Sequence, residues 1–285
     1  MLHPANHFFD HTPESLAVWC ESVGMPRFRA KQLMEWVYLK GVVDPEKMTS
    51  LSKADRDKVH ADLTFLSGTT VRHQQASDGT QKLLVEWEDF AHRNSRMTGG
   101  KEVEAESKTV QAPAESMPSI PLNVLNHDGS QFGAGDPTRQ TECVMIPTDE
   151  RKTACISSQI GCPVGCRFCA SGLGGLDHNL SGGRIVEQVW RLNQLPEVPR
   201  ISNVVFMGMG EPLANMQNVI QAVRAIAAPW GMGISARRIT ISTVGLPKAI
   251  EKLADQLDLP VTLALSLHAP NDNVRRELIP WAEYT

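Results

Sequence analysis

The chain has 285 residues, 41% of them hydrophobic and 6% aromatic, with 28 Lys and Arg against 32 Asp and Glu for a formal net charge of -4. That length allows a sizeable core and about two domains, while the mild acidity excludes a global attraction for nucleic acid, so any contact with a polyanion must use a local basic face. No apolar run approaches the roughly 20 residues that span a bilayer, and "MLHPANHFFDHTPES" lacks the basic start and apolar centre of a secretory signal, so the expected compartment is the cytoplasm with no membrane partner.

"TPESLAVWCESVG" predicts a first helix: Thr12 caps it, Pro13 suits its first turn, Leu16, Trp19 and Val23 share a face, and Gly24 ends it. "FRAKQLMEWVYLKG" predicts a second, with Leu33, Trp36 and Val37 on one side and Gly41 as the stop. "SKADRDKVHADL" predicts a third, with Ser52 as cap and Asp55 three residues on. Together they make a helical unit over residues 1–66. Alternation at Leu83, Val85 and Trp87, with Asp78-Gly79 as the turn, predicts a β-hairpin over 67–89. Residues 90–139 turn polar and rich in Gly, Pro, Ser and Glu without either periodicity, and read as a low-complexity, mobile insertion. "TECVMIP" then restores strand character from Glu142 to Pro147.

From Lys152 onward strands and helices alternate: "TACIS", "GRIVEQVWRLNQL", "NVVFM", "NMQNVIQAVRAIAA", "RITIST", "KAIEKLADQL" and "VTLALS". A βα repeat with β-branched strands predicts an α/β fold built on a parallel sheet or barrel. Four strands are visible and the last residues read as the next helix. A closed eight-stranded barrel takes ~250 residues, so the expectation is an open or partial (βα) barrel, or part of a longer one, over residues 140–285.

Cys162, Cys166 and Cys169 follow the first strand of that series, at the end where such folds place ligand loops. In a reducing compartment a tight cysteine group binds metal or does redox chemistry in preference to forming a structural disulfide. Thiolates are soft ligands, and three from one loop can each hold one iron of a 4Fe-4S cluster while the fourth iron keeps an open position. Zinc, with His178 completing a three-Cys, one-His site, is the competing reading.

The CxxxCxxC spacing resembles the radical S-adenosylmethionine (SAM) superfamily. More narrowly, "CISSQIGCPVGCRFCASG", "NVVFMGMGEPLAN", "ISTVGLP" and "LALSLHAPND", in that order, resemble the RlmN/Cfr family of RNA adenine methyltransferases, and "FRAKQLMEWVY" extends the likeness into the helical unit. The resemblance implies a radical SAM core over 140–285 and two cofactors, the 4Fe-4S cluster and SAM, whose amino and carboxyl groups chelate the open iron. It implies that Gly210, Glu211, Ser242, Ser266, Leu267 and His268 contact SAM. Read alone, "GMGEP" is a Gly-rich turn whose carboxylate caps the next helix, and His268 is a core histidine.

The resemblance further implies methylation of carbon 2 of an adenine in large-subunit ribosomal RNA, with transfer RNA as a second substrate class and a flavodoxin- or ferredoxin-type protein as electron donor. Carbon 2 is electrophilic, so a methyl group is first parked on a protein cysteine and then transferred by radical chemistry. Cys155, seven residues before Cys162, matches the cysteine that resolves the protein-RNA adduct, and Glu142, thirteen residues further back, matches the proton acceptor. Without the family, Cys155 is a buried strand thiol and Glu142 a solvated strand end; Cys143 and Cys20 read as packing residues. Arg27, Arg29, Lys31 and Lys40 form the helical unit's basic cluster, with Arg237-Arg238 and Arg275-Arg276 elsewhere. Each is either a solvated face or a set of phosphate contacts.

Two departures from the family pattern matter. The resemblance places the methyl-carrying cysteine and a further SAM-contacting Asn beyond the sixth barrel strand, past residue 285, so the chain reads as C-terminally truncated, and the 90–139 insertion exceeds the family's short turn. The expected activity is that of a radical SAM RNA methyltransferase; a shortened, inactive homologue that binds a cluster or RNA without methylating is the alternative.

Overall fold

A computed structural model describes residues 1–91 and 136–284; except for its two ends, the insertion expected over 90–139 lies outside the described residues. Thr12 caps helix α1 (Pro13–Ser22) as expected: its Oγ1 accepts from the Ser15 N–H at 3.2 Å, and Ser15 Oγ accepts from the Thr12 N–H at 2.9 Å. The second segment differs from expectation. It is α-helical only over α2 (Arg29–Met34) and continues as a π turn over Glu35–Leu39. Ser52 caps α3 (Lys53–Asp62), accepting from Asp55 N–H at 3.1 Å, while the Asp55 carboxylate is held by Arg29 at 2.8 Å and ties α3 to α2.

The hairpin of β1 (Gly68–Gln75) and β2 (Gln81–Trp87) forms around Gly79 at φ +83°, with Asp78 accepting from Thr80 N–H at 2.8 Å and Leu83, Val85 and Trp87 buried. It is not free-standing. β2 pairs antiparallel with β3 (Gln140–Pro147), and β3 with β4 (Lys152–Cys155). A short antiparallel pair, β5 (Gln159–Gly161) and β6 (Leu176–Asn179), stands apart from this sheet. Helix α4 (Gly182–Asn193) leads to β7 (Asn203–Phe206), α5 (Met216–Ala227) to β8 (Ile239–Thr243), and α6 (Pro247–Gln256) to β9 (Thr262–Leu265), before α7 (Asp272–Leu278). β4, β7, β8 and β9 pair in parallel, giving one mixed seven-stranded sheet in the order β1-β2-β3-β4-β7-β8-β9. The fold is α/β with a mixed sheet, and the hairpin and β3 cover what would otherwise be an open edge at β4.

Strand alternation sorts the sheet's two faces. Cys143, Met145, Ala154, Val204, Phe206, Ile239 and Ile241 are buried in the main core; Val144, Cys155, Val205, Thr240 and Ser242, paired across the strands on the other face, remain partly exposed. Cys20 is also buried, so both cysteines read as packing residues are core residues. At the β9 edge, Leu263 and Leu265 are 40% and 58% exposed. Among the described residues no helix is long and apolar enough to cross a membrane.

Helix α4 is the hub. Its Glu187 is fully buried, yet Oε2 accepts from the Ser67 N–H at 2.9 Å and Ser67 Oγ at 2.8 Å and lies 3.0 Å from His7 Nε2, while Oε1 accepts from Arg191 at 2.7 and 2.9 Å. Arg184, one turn earlier and equally buried, donates to Ser67 Oγ at 3.2 Å and to the Glu88 carbonyl at 2.6 Å, with its guanidinium 5.5 Å from the Trp87 ring. Burial alone would push the Glu187 carboxyl up, but the His7 bond, Arg191 and the Ser67 amide outweigh it and hold the group below its ordinary value. Burial likewise pulls Arg184 down to about 10, still charged near neutrality.

Replacing Glu187 with Gln should therefore destabilise the chain by about 3 kcal/mol in urea unfolding, because buried cations lose their counter-charge. A carboxyl depressed in the folded state stabilises fully above its ordinary 4.5 and loses that contribution as pH falls through the lower folded value. Thermal scans from about pH 7 to about pH 3 should show the wild-type chain losing stability at the acid end more steeply than Glu187→Gln.

Candidate cluster and cofactor site

Past Cys155 the chain runs not into a helix but through Ser157-Ser158-Gln159 into β5, and the β5–β6 hairpin carries all three clustered cysteines in its 162–175 loop. Its base is pinched at Gly161, at φ +73°, where a Cβ would stand 2.1 Å from the Gly175 carbonyl; that carbonyl accepts from Cys162 N–H at 2.8 Å. A turn within the loop is closed by Cys169 N–H donating to Cys166 O at 3.0 Å. Cys162 and Cys166 pack against Val164, Val244, Ile279 and Ala282. All six cysteines are free. Burial first, then the neighbouring thiols, pushes Cys162 up to about 11, and Cys166 is raised for the same reasons, so a metal binding here must displace thiol protons.

Among the described residues no three His, Cys, Asp or Glu side chains are drawn together as a ready coordination shell. The fit to an iron-sulfur cluster is one of chemistry: three soft, partly buried thiols on one loop against an apolar wall, with no fourth thiol beside them. His178, the fourth ligand of the zinc reading, stands on β6 with Nε2 3.2 Å from the Met1 ammonium, and among the described residues it is not drawn together with the three cysteines.

The "GMGEP" loop after β7 interlocks with the segment after β4. Ser157 Oγ donates to Glu142 O at 2.6 Å and accepts from Met209 N–H at 2.9 Å; Met209 O accepts from Ser158 and Gln159 N–H, and Gln159 Oε1 accepts from Glu211 N–H at 2.8 Å. Asn215 Nδ2 donates to Ser158 O and Leu180 O, both at 2.8 Å. Gly210, at φ +104°, leaves room that a Cβ would close, 2.7 Å from Gln159 Cβ. The Glu211 carboxylate is 3% exposed and accepts from Leu213 N–H at 3.0 Å and Val244 N–H at 2.9 Å, capping the turn Pro212–Asn215 and tying the β7 loop to the β8 loop; burial raises it. The carboxylate therefore caps the turn that leads into α5 and not α5 itself, whose N-cap residue Asn215 makes no side-chain cap bond.

Ser242 Oγ, at the end of β8, lies 3.2 Å from Ser266 Oγ, just past β9. Leu267 is 55% exposed, and His268, at φ +58°, places its ring 4.5 Å from Phe168 of the cysteine loop. His268 is therefore a rim residue and not the core histidine of the isolated reading. Cys155, half-buried with its thiol raised by burial, pairs with Val144, and Glu142, two residues along β3, lies on the same face. The Glu142 carboxylate is held by Lys82 Nζ at 2.8 Å. Cys155, the cysteine loop, Gly210, Glu211, Ser242, Ser266, Leu267 and His268 all stand at the end of the sheet where the parallel strands finish.

The basic groups divide. Arg27 pairs with Glu21 at 2.7 Å, Arg29 with Asp55, and Lys40 sits 3.6 Å over the Trp36 ring. Arg275 is no surface cation: it is 8% exposed and donates to Val244 O at 2.5 Å. Sequence reasoning missed the anchoring roles of Gln159 and Asn215, which lie inside the quoted blocks but carry no periodic signal, and the Phe168–His268 contact, which joins residues far apart in the chain.

Residues 7–64 match the family description "Ribosomal RNA large subunit methyltransferase N-terminal domain", and residues 156–284 match "Radical SAM superfamily". A "Probable dual-specificity RNA methyltransferase RlmN" of Rhodopirellula baltica is 39% identical over 276 residues, covering 96% of this chain and 61% of the relative. A "Dual-specificity RNA methyltransferase RlmN" of Dichelobacter nodosus is 36% identical, covering 96% and 63%. The chain thus spans a little under two thirds of the length of these curated relatives. The crystal structure of a radical SAM methyltransferase from Sphaerobacter thermophilus superposes with a TM-score of 0.76 at 33% identity, covering 98% of this chain and 68% of that one. On these likenesses, together with the cysteine loop and its interlocked neighbours, this chain belongs to the RlmN family of radical SAM methyltransferases.

Proposed function

We propose that the chain acts in methylating carbon 2 of an adenine in large-subunit ribosomal RNA, with transfer RNA as a second substrate class, using a 4Fe-4S cluster, SAM and a flavodoxin- or ferredoxin-type electron donor in the cytoplasm. The observation that carries this reading is the placement of three free thiols on one loop beside the "GMGEP" and "SLH" turns at a single end of the sheet. The four parallel strands are read as the first part of a radical SAM barrel, preceded by an RNA-binding helical unit over 1–66 and the hairpin over 67–89.

In this reading Cys162, Cys166 and Cys169 would hold the cluster, which when bound supplies the electron that splits SAM and starts radical chemistry. Gly210 lets the loop beside the SAM site close on Gln159 and Ser158, and Ser242, Ser266, Leu267 and His268 line the rim of that site. Glu211 holds the β7 and β8 loops in place, and a cationic amino group is the partner that would offset the burial of its carboxylate. Cys155 waits as a protonated thiol on the open face, suited to forming a disulfide once its proton is taken. Glu142 engages Lys82 through Oε1, so Oε2 is the oxygen that would accept a proton from a base. The target base must leave its stack to reach this end of the sheet. The methyl-carrying cysteine that the resemblance implies matches none of the six cysteines here.

Anaerobic reconstitution with iron and sulfide, followed by SAM and reductant, tests the reading. The wild-type chain should develop cluster absorbance and release 5′-deoxyadenosine, and Cys166→Ala should lose both. Stoichiometric uptake of zinc in place of iron, or an unchanged product yield from Cys166→Ala, would overturn it.

A further inference from the structure

The far end of the sheet carries a second, unassigned feature. Three depressions there share lining residues: one of about 260 Å³ begins at Tyr38 and Leu39 of the π turn and reaches Arg200, Ile201 and Ile234, the next adds Arg238, and the third, also about 260 Å³, runs from Arg238 and Arg237 to Arg151. Their shared lining residues join them into one groove along the starts of β4, β7 and β8, where residues 151 and 237–238 immediately precede β4 and β8 and residue 200 lies three before β7. The strands are four or five residues long, which at about 3.3 Å per residue sets the groove on the order of 15 Å from the cysteine end.

All four arginines are exposed, and among the described residues none is within ion-pair distance of a carboxylate, although Glu150 also lines the third depression. Arg200 donates to the carbonyls of Met232 at 3.0 Å and Gly233 at 3.4 Å, which fixes the loop before β8 and leaves its charge uncompensated. This contrasts with the helical unit, where Arg27 and Arg29 are already neutralised. In a chain of net charge -4, four unpaired guanidinium groups along one groove form a local field that attracts a polyanion, and their planar forks suit phosphate oxygens.

We propose that this groove binds the phosphodiester backbone of the RNA substrate away from the modified base, as a sequence-independent anchor. The inference rests on the RNA reading above. Phosphate contacts of this kind fix register and add affinity without reading bases, and each one raises the salt dependence of binding.

The test is fluorescence anisotropy of a labelled RNA stem-loop with the full 285-residue chain across a salt series. Each of Arg151→Gln, Arg237→Gln and Arg238→Gln should lower the slope of log affinity against log salt by roughly 0.7–0.9, and the triple variant by roughly two to three, with an affinity loss of about tenfold or more at low salt. The loss should be equal for a scrambled stem-loop, and the urea midpoint and iron uptake of each variant should match wild type. Wild-type binding with an unchanged slope in the triple variant would overturn the groove while leaving the RNA reading intact. Binding of poly-glutamate as tight as that of RNA would overturn RNA as the occupant, and failure of the wild-type chain to bind RNA at all would remove the RNA reading and the groove with it.

Discussion

The rest of the structure depends on how one buried anion is satisfied. Glu187 has no access to water, and a carboxylate in that position costs several kcal/mol unless its oxygens are filled. The partners come from three parts of the chain: His7 before the first helix, Ser67 at the entry to the hairpin, and Arg191 on α4 itself. Satisfying one carboxylate therefore sets the N-terminal unit, the hairpin and the first crossover helix in one arrangement. Arg184 extends the same network to the carbonyl of Glu88. The apolar core runs through the same junction, with Phe8, Phe9, Trp87 and Trp190 in one cluster. Burial supplies the driving force, and the ionic network selects the arrangement.

With α4 set, strand alternation does the next step. One face of the sheet is sealed by the helices, so Cys155 and Ser242 are left on the face that stays partly open. The loops at the strand ends are then joined by hydrogen bonds to the Met209 backbone carbonyl and between the Gln159, Glu211 and Asn215 side chains and neighbouring backbone groups. Such interlocking has a steric condition: Gly161, Gly208 and Gly210 all lie where a Cβ would meet neighbouring atoms closer than 3 Å. The cysteine loop is held differently, at its Gly161–Gly175 base and by Cys162 and Cys166 against a small apolar patch. A rigid floor beneath a loop of soft donors is an arrangement in which ligand capture can order the loop without disturbing the sheet.

Charge is distributed by the same economy. Arginines and lysines of the helical unit mostly serve internal contacts, to Asp55, Glu21 or an aromatic ring. Arg275, which looks like a surface cation in sequence, braces the Val244 carbonyl beneath the cysteine loop. Arg151, Arg200, Arg237 and Arg238, with no ion pair among the described residues, line the groove where the parallel strands begin, while Arg167 and Arg276 are exposed near the cysteine loop.

Much of this was legible in the sequence because it rests on local rules. Thr12 and Ser52 as caps, Asp78-Gly79 as a turn, the alternation of Leu83, Val85 and Trp87, and the βα repeat after Lys152 all depend on contacts within a few residues or on a periodicity that burial imposes. The cysteine spacing was legible for the same reason, since it places three thiols on one short loop, although among the described residues they are not drawn into a coordination shell. The β5–β6 hairpin was not, because three-residue strands are too short to show alternation. Nor were the roles of Glu187, Glu211 and Arg275, whose partners lie tens to over a hundred residues away and whose burial reverses the usual expectation for a charged side chain. The sequence alone thus determined most of the elements, the α/β class and the placement of three cysteines on one loop. Only the tertiary structure decided which charges are spent on holding the fold and which are left free, because pairing in a low-dielectric interior is a property of distance in space and not of position along the chain.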